Sequence, residues 1–249
     1  MIICKSAMEL EKMRRAGLLV WELLNELRTM AKPGMATAEL EKTAEERIAR
    51  RGARPAFKGL YNYPCVLCTS VNEEIVHGIP SPKKVLREGD ILKIDVGVEV
   101  EGYYGDSAIT VPVGKISSEL EQLVRVTEES LYAAIDRVRL GAHVGDVSAA
   151  VEQYVTPYGY SVVRDFVGHG IGSHLHEDPK VPNYGTPGHG PRLKEGMVLA
   201  IEPMVNTGRP GSRILRDQWT AVTEDGGYSA HFEHCVVVTS NGPWILTRP

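Results

Sequence analysis

The 249-residue chain repeats part of its own pattern when it is shifted by 107 positions. The matching positions are Gly34 with Gly141, Gly52 with Gly159, Leu86–Gly89 with Leu193–Gly196, and Ile94-Asp95 with Ile201-Glu202. One offset therefore fits both the glycines and the acidic residues that follow aliphatic runs, which predicts a duplicated helix–helix–sheet unit. We expect a single domain, residues 1–249, whose halves at roughly 1–114 and 115–249 are related by a pseudo-twofold axis.

Helical and strand-like segments follow one another in both halves. Apolar residues at helical spacing predict helices at 6–30, 37–51, 118–139 and 144–155. Ser6 with Glu9, and Ser118 with Glu121, have the spacing of capping boxes. Aliphatic and β-branched runs predict strands at about 66–71, 90–98, 103–111, 197–205, 218–223 and 234–239. The expected class is α+β, with antiparallel sheets covered by helices.

Several acidic residues lie on strands that should be buried. Asp95 and Asp106 are eleven residues apart, a spacing that fits two strands of a hairpin. Glu202 and Glu233 have similar aliphatic neighbours, and His169 lies in a glycine-rich segment. Four carboxylates pooled in one core would repel one another unless cations lay among them. These five residues therefore predict a site for two divalent metal ions.

The types of ligand limit the metal and the chemistry. Oxygen-rich ligation with one imidazole suits manganese, iron(II), cobalt or zinc, and the choice among them stays open. Two ions about 3.5–4 Å apart could share a bridging hydroxide near neutral pH, so hydrolysis is the expected reaction. His77 and His176 also lie beside glycines, and each is either a structural histidine or a group that holds a scissile amide and stabilises its tetrahedral intermediate.

Charge and cysteine content limit the partners and the compartment. A formal charge of −4 and a pI near 6.1 give no electrostatic footprint for nucleic acid or an anionic membrane. No apolar run approaches the roughly 18 residues of a membrane span. Four scattered cysteines do not suggest a disulfide framework, and the first residues lack the pattern of a secretion signal. We expect a cytoplasmic monomer with no membrane partner and no specific nucleic-acid partner.

A long and specific set of segments points to a known family. The segments are Phe166–His176 (FVGHGIGSHLH), Val181–Tyr184, Asn72-Glu73, His77–Pro80, Ile201–Met204 and Ser229–His234. In these segments, and over nearly its whole length, the chain resembles the type I methionine aminopeptidases, metallohydrolases of the pita-bread (creatinase/aminopeptidase) fold. The resemblance implies a metalloprotease that removes the N-terminal methionine from nascent chains with a small second residue, a step of protein maturation.

The resemblance also implies a role for each metal ligand. Asp95 would bind one metal ion, and His169 with Glu202 would bind the other. Asp106 and Glu233 would bridge the two ions, between which the nucleophilic hydroxide would lie.

The remaining implied roles concern the substrate and a further ion. Glu202 would shuttle a proton, while His77 would contact the scissile amide nitrogen and His176 its carbonyl side. A monovalent cation is implied near Asn72 and Ser229. The implied substrate-binding residues are Phe57, Leu60, Tyr63, Cys68, His77, Leu175, His176 and Trp219. Because the free α-amino group would coordinate a metal ion, an acetylated or formylated terminus should not be cleaved.

Some positions depart from the family pattern. His231 stands where glutamine is usual, and Phe57, Leu60 and Leu175 differ from the residues of other members. These changes leave the five ligands intact but alter the groups around the metal site and the wall of the methionine pocket.

Alternative interpretations remain for one surface and for the whole protein. The basic cluster, defined here as Arg47, Arg50, Arg51, Arg54 and Lys58, either complements a helix C-terminus or faces the ribosome. Proline-specific aminopeptidases and prolidases share the fold and the ligands, but they generally carry an additional preceding domain. A non-catalytic pita-bread binding protein is disfavoured because all five ligands are present.

Overall fold

Four α-helices and fifteen β-strands form the computed structural model, which describes residues 2–249. The helices are α1 (Ala7–Met30), α2 (Thr37–Arg50), α3 (Ser118–Ile135) and α4 (Val144–Val155). The strands before α3 are β1 (Arg54–Pro55), β2 (Leu67–Val71), β3 (Glu74–Val76), β4 (Ile91–Val100) and β5 (Tyr103–Pro112). The strands after α4 are β6 (Ser161–Val162), β7 (Gly168–Gly170), β8 (Glu177–Val181), β9 (Val198–Ile201), β10 (Met204–Asn206), β11 (Ser212–Ile214), β12 (Ala221–Thr223), β13 (Ser229–His231), β14 (His234–Thr239) and β15 (Gly242–Ile245).

The helix starts test the predicted capping signals. At α1 the capping box is confirmed, because the Ser6 side chain accepts from Glu9 N and the Glu9 carboxylate accepts from Ser6 N. At α3 the prediction was wrong by one residue, since Ser117 is the cap and accepts a hydrogen bond from Leu120 N. Helix α3 ends at Ile135 and not near Arg139, because the residues that follow make tighter bonds of the 3-10 type.

The strands form four antiparallel sheets. In the first, β4 pairs with β5 on one side and with β2 and β1 on the other. The largest has the order β15-β14-β9-β7-β8. Two three-stranded sheets have the orders β13-β10-β6 and β11-β12-β3. The predicted strand 197–205 is two strands, because Pro203 has no N–H for a ladder and Glu202 lies in the break.

Helices and strands of each half enclose an apolar core. Helices α1 and α2 pack on the β4–β5 sheet around Leu24, Leu40 and Ile94, while α3 and α4 pack on the later strands around Val147 and Leu199. A third cluster joins the two halves. No helix among residues 2–249 has both the length and the apolar character that crossing a membrane requires.

Helix α1 contacts its surroundings through its backbone. A Cβ atom on Gly105 of β5 would lie 2.6 Å from the backbone nitrogen of Gly17, and one on Gly17 would lie 2.4 Å from the carbonyl oxygen of Leu246. Both distances are too short for a carbon atom, so only glycine fits at either position. The helix, the strand and the C-terminal segment therefore meet without side chains between them.

Backbone contacts recur at the offset found in the sequence. The pairs are Gly34 N to Leu86 O with Gly141 N to Leu193 O, Thr37 N to Lys84 O with Val144 N to Pro191 O, and the bridges Ala36–Val85 with His143–Arg192. The φ angles of Gly34 and Gly141 are 90° and 85°. These paired contacts support the proposal of a duplicated unit.

Candidate active site

The β4–β5 hairpin brings the first two predicted ligands together. Asp95 is opposite Ala108 and Asp106 is opposite Gly97, so the two carboxylates are diagonal neighbours on the same face of the sheet. The turn residues Glu101 and Gly102 have positive φ angles of 53° and 83°. The predicted hairpin is therefore confirmed.

The other three predicted ligands come from the largest sheet. His169 is on β7, Glu202 follows β9, and Glu233 precedes β14, while β9 pairs with both neighbouring strands. Glu233 N donates to the Ala108 carbonyl at 2.9 Å and so joins this sheet to β5. One ligand atom each of Asp106, His169 and Glu233 lies within 4.8 Å of the others. Three of the five predicted ligands therefore form a buried cluster whose ligand atoms are close enough to share a metal ion.

Contacts of His169 determine which ring nitrogen is available to a metal. Nδ1 lies 2.9 Å from the Gly170 carbonyl, which only accepts hydrogen bonds, so Nδ1 carries the proton. Nε2 is then a free lone-pair donor, 3.6 Å from Oε1 of Glu202. The second Glu202 oxygen lies 3.7 Å from Nε2 of His231, which is fully buried. His231, which stands where glutamine is usual in the family, therefore lies beside Glu202, and neither of its ring nitrogens has a hydrogen-bond partner.

The buried carboxylates share an unfavourable electrostatic environment. Burial raises the pKa of Asp106 to about 7. Burial, and then neighbouring carboxylates, raise the pKa values of Asp95, Glu202 and Glu233 well above their ordinary range.

Oxygen atoms within this set lack hydrogen-bond partners. One buried oxygen in each of Asp95, Asp106 and Glu233 has none. Unpartnered buried oxygens that converge with an imidazole are the donor set of a hard or borderline divalent cation. The residues present therefore fit divalent metal ions.

A cavity of about 620 Å³ opens beside the carboxylates. All predicted catalytic, metal-binding and substrate-binding side chains line it. Their lining positions are Phe57, Leu60, Tyr63, Cys68, His77, Asp95, Asp106, His169, Leu175, His176, Glu202, Trp219 and Glu233. The predicted metal ligands and the predicted substrate-binding residues thus border one cavity.

The apolar end of this cavity is built from rigid side chains. Tyr63 donates its hydroxyl to the Leu67 carbonyl at 2.8 Å, and its ring meets that of Trp219 edge-on at 5.0 Å. Gly97 leaves space for Phe57, because a Cβ atom there would lie 2.9 Å from the Phe57 ring and 3.3 Å from Oδ1 of Asp106. A single glycine on β4 therefore shapes the pocket and the ligand set together.

Two further histidines, His77 and His176, line the cavity together with the carboxylates. His77 has a positive φ of 61°, and its ring is edge-on to Phe166 at 5.3 Å. Burial, and then the nearby charge of His176, lower the pKa of His77 to about 4. The His176 ring lies 4.5 Å from that of His169, and desolvation lowers the pKa of His176. Both imidazoles are therefore neutral near pH 7.

Some lining residues were not singled out from the sequence. Tyr61, Val76, Phe166, Glu177 and Lys180 also face the cavity, together with Val167, Gly168 and Asp178. Phe166, Val167 and Gly168 belong to the segment that carries the family resemblance, but no role in the site was assigned to them. Glu177 forms a buried ion pair with Lys5, a contact between residues too distant in sequence for a pattern to reveal.

The point at which a monovalent cation was expected contains a lysine. Lys93 Nζ donates to the carbonyl oxygens of Asn72 and Ser229 at 2.7 and 2.9 Å. Burial lowers the pKa of Lys93 to about 7, and the carboxylates of Glu74 and Glu73 act in the opposite direction. Because the two oxygens already contact Lys93, the residues present do not fit a monovalent cation there.

Comparison with known proteins gives the class of this site. The description "Metallopeptidase family M24" matches residues 11–240. The chain therefore belongs to metallopeptidase family M24, and the use of a divalent metal follows from that membership. Within the family it groups with the methionine aminopeptidases.

Two relatives carry this grouping. The methionine aminopeptidase of Clostridium acetobutylicum is 50% identical over 247 residues, which cover 99% of each chain. The crystal structure of methionine aminopeptidase from Thermotoga maritima superposes with a TM-score of 0.99 at 47% identity, with 100% of both chains covered. A prolidase from Pyrococcus furiosus has a TM-score of 0.81 at 23% identity over 99% of this chain and 66% of its own, which shows the fold alone. The expected pita-bread fold is confirmed.

Proposed function

We propose that this metallopeptidase removes the N-terminal methionine from polypeptides by hydrolysis, with a preference for a small second residue and with nascent chains as its substrates. The observation that carries the proposal is the cavity, which is lined by all five proposed ligands and in which Asp106, His169 and Glu233 form a buried cluster. The names of the relatives, which are 50% and 47% identical, support the same activity.

We propose Asp95, Asp106, His169, Glu202 and Glu233 as the ligands of two divalent ions, drawn from manganese, iron(II), cobalt and zinc. Such ions, when bound, lower the pKa of a water molecule so that hydroxide is available at neutral pH. The imidazole of His169 would contribute Nε2, and the four carboxylates would contribute oxygens. Cys68 is a poor alternative nucleophile, because burial and nearby acidic groups raise the pKa of its thiol well above the ordinary value.

The neighbouring side chains suit amide hydrolysis. Glu202, whose pKa is raised, would accept a proton and return it to the leaving amine. His176 is neutral and would donate a hydrogen bond to the developing oxyanion, while His77 would contact the amide nitrogen. Phe57, Tyr63 and other pocket side chains would enclose the thioether, which packs well on aromatic rings.

The test is the release of free methionine from Met-Ala-Ser by metal-free protein titrated with Mn²⁺, Fe²⁺, Co²⁺ and Zn²⁺. Acetyl-Met-Ala-Ser and Ala-Pro-Ser serve as matched controls. Metal-dependent cleavage of Met-Ala-Ser alone is the expected result, because the α-amino group has to reach the carboxylate cluster. Faster cleavage of Ala-Pro-Ser would assign the site to the proline-specific branch, and metal binding without cleavage would favour a binding protein.

We propose a monomer that acts in the cytoplasm. None of the four cysteines, all within the described residues, forms a disulfide, in keeping with a reducing compartment. Light scattering of the purified protein tests the monomer, and fractionation of cells tests the compartment.

A ribosome contact through the basic cluster is a further proposal. Each cation of the cluster is paired with a glutamate: Arg47 with Glu26, Arg50 with Glu46, Arg51 with Glu22, Arg54 with Glu99 and Lys58 with Glu45. These pairs reduce the free positive charge, so ribosomal RNA would have to displace the glutamates. Co-sedimentation with ribosomes that is unchanged by charge reversal of Arg50, Arg51 and Arg54 would reject this contact.

A further inference from the structure

Lys93 is a fully buried cation that the proposed reaction does not use. It lies on β4 two residues before Asp95 and is 1% exposed. Because side chains alternate along a strand, Lys93 and Asp95 are on the same face of β4. A buried ammonium group without partners is strongly unfavourable, so its contacts indicate what keeps it there.

Two backbone carbonyls hold the Lys93 ammonium. Asn72, in the turn between β2 and β3, accepts at 2.7 Å, and Ser229, the first residue of β13, accepts at 2.9 Å. The Asn72 side chain is itself fixed, since it accepts from Ile91 N at 3.0 Å and donates to Asp90 at 2.9 Å. The carbonyls are therefore held in place by the surrounding backbone.

Paired carbonyl oxygens of this kind are the ligands that monovalent cations take from a protein backbone. A lysine ammonium carries the same charge and donates up to three hydrogen bonds. The charged side chains around it are Glu73, Glu74 and Asp90 on one hand and Lys84 on the other. Burial opposes a positive charge at this point, and the two carbonyl oxygens together with the three acids favour one, whether it comes from a lysine or from an ion.

We propose that Lys93 replaces a bound monovalent cation with a built-in ammonium group, so that this protein needs neither Na⁺ nor K⁺ to join β4 to β13. Strand β4 carries Asp95, and β13 leads directly to Glu233. Lys93 is thus a positioning residue that connects the segments of two proposed metal ligands from a point outside the cavity.

The experiment compares Lys93→Ala with Lys93→Met. Alanine leaves room for an ion beside the two carbonyls, whereas methionine fills most of the space and donates nothing. Lys83→Ala, at an exposed position, is the control for loss of one positive charge. Thermal unfolding of the metal-free proteins is measured in NaCl, KCl and choline chloride at equal ionic strength, which keeps the result independent of peptide cleavage.

The wild type and Lys83→Ala should have the same Tm in all three salts. Lys93→Ala should unfold about 5 °C lower in choline chloride and should recover saturably with Na⁺ or K⁺. Lys93→Met should be lowered without recovery. A saturable response of the wild type, or a folded Lys93→Ala that ignores both ions, would overturn the proposal. If Lys93→Ala does not fold in any of the three salts, the proposal is decided by whether the Tm of the wild type responds to Na⁺ or K⁺.

Discussion

Each carboxylate of the buried set lacks the solvent that normally stabilises its charge. Asp106 and Glu233 are 4% and 2% exposed, and each has an oxygen without a hydrogen-bond partner. An amide at either position keeps the shape of the side chain but is a poorer metal ligand. The function of these residues can therefore be separated from their packing.

Asp106→Asn and Glu233→Gln should each lower kcat/KM for Met-Ala-Ser by more than about 100-fold, because even partners outside the ligand set cost 10- to 100-fold. Circular dichroism should show an intact fold. The matched control is Glu11→Gln, an exposed residue of α1, which should retain full activity. Near-normal turnover by either active-site variant would contradict the proposed ligand set.

His176 offers a second prediction at the scale of a residue. His176→Ala should lower kcat by about 100-fold with little change in KM, because the hydrogen bond to the oxyanion is made in the transition state. His174→Ala, two positions earlier and with its side chain 80% exposed, is the control. A change confined to KM would instead make His176 a substrate-binding residue.

Sequence reasoning succeeded for residues whose chemistry is unusual in its setting. Asp95 and Asp106 lie on aliphatic strands, where a buried carboxylate needs a cation or a hydrogen-bond partner, and the resemblance supplied the wall of the pocket. Contacts between side chains from distant parts of the chain could not be predicted from the sequence. The ion pair of Glu177 with Lys5 and the two contacts of Lys93 join residues far apart in the chain, and no local pattern encodes them.

At the scale of elements, the repeated contacts around Gly34 and Gly141 allow the proposed duplication to be tested. Both glycines have φ near 90°, and a Cβ atom at either would meet nothing within 4 Å. Gly34→Ala and Gly141→Ala should therefore each lower the free energy of unfolding by about 1 kcal/mol through backbone strain alone. Urea unfolding measures both values. Costs that differ by more than about 2 kcal/mol would show that the two turns are not equivalent.

Long, strongly patterned elements were predicted, whereas several short strands were missed. Helices α1, α2 and α4 and the β4–β5 hairpin match their predicted ranges to within a few residues. Strands β9 and β12 lie within predicted ranges, but β7 and β13 were missed because their glycines and polar residues give no alternation. The neighbouring strands determine how these two strands pair. Strand β7 carries His169, and β13 ends two residues before Glu233.

At the scale of the whole molecule, the raised carboxylate pKa values link metal binding to pH. The folded, metal-free protein retains protons that the unfolded chain releases near pH 4, so this contribution to stability is lost as pH rises through the folded pKa values, which are about 7 for Asp106 and are also raised for Asp95 and Glu233. Bound divalent ions would displace these protons and remove the loss. The histidines with lowered pKa values, such as His77 and His169, change the stability only below about pH 6.5, where the unfolded chain gains protons that the folded protein does not.

The difference in Tm between metal-loaded and metal-free protein should therefore widen by several degrees from pH 6.5 to pH 8. Differential scanning fluorimetry with and without Mn²⁺ measures this difference. The titration of Lys93 affects the Tm of both forms and is therefore removed when the two values are subtracted. The Asp106→Asn variant is the control and should show a smaller change. A constant difference would mean that the buried carboxylates do not titrate together with metal binding.

The direct backbone contact of Gly17 with Gly105 bears on how the protein responds to a peptide. Sliding of α1 along β5 would bring a residue with a side chain to a contact where only glycine fits, so this contact opposes movement of α1 against the strand that carries Asp106. Adaptation to different peptides falls to loops that line the cavity, such as the one at Tyr61, which holds a positive φ angle of 49°. Breadth of substrate choice should thus evolve through these loops, while the reactive centre stays fixed in shape.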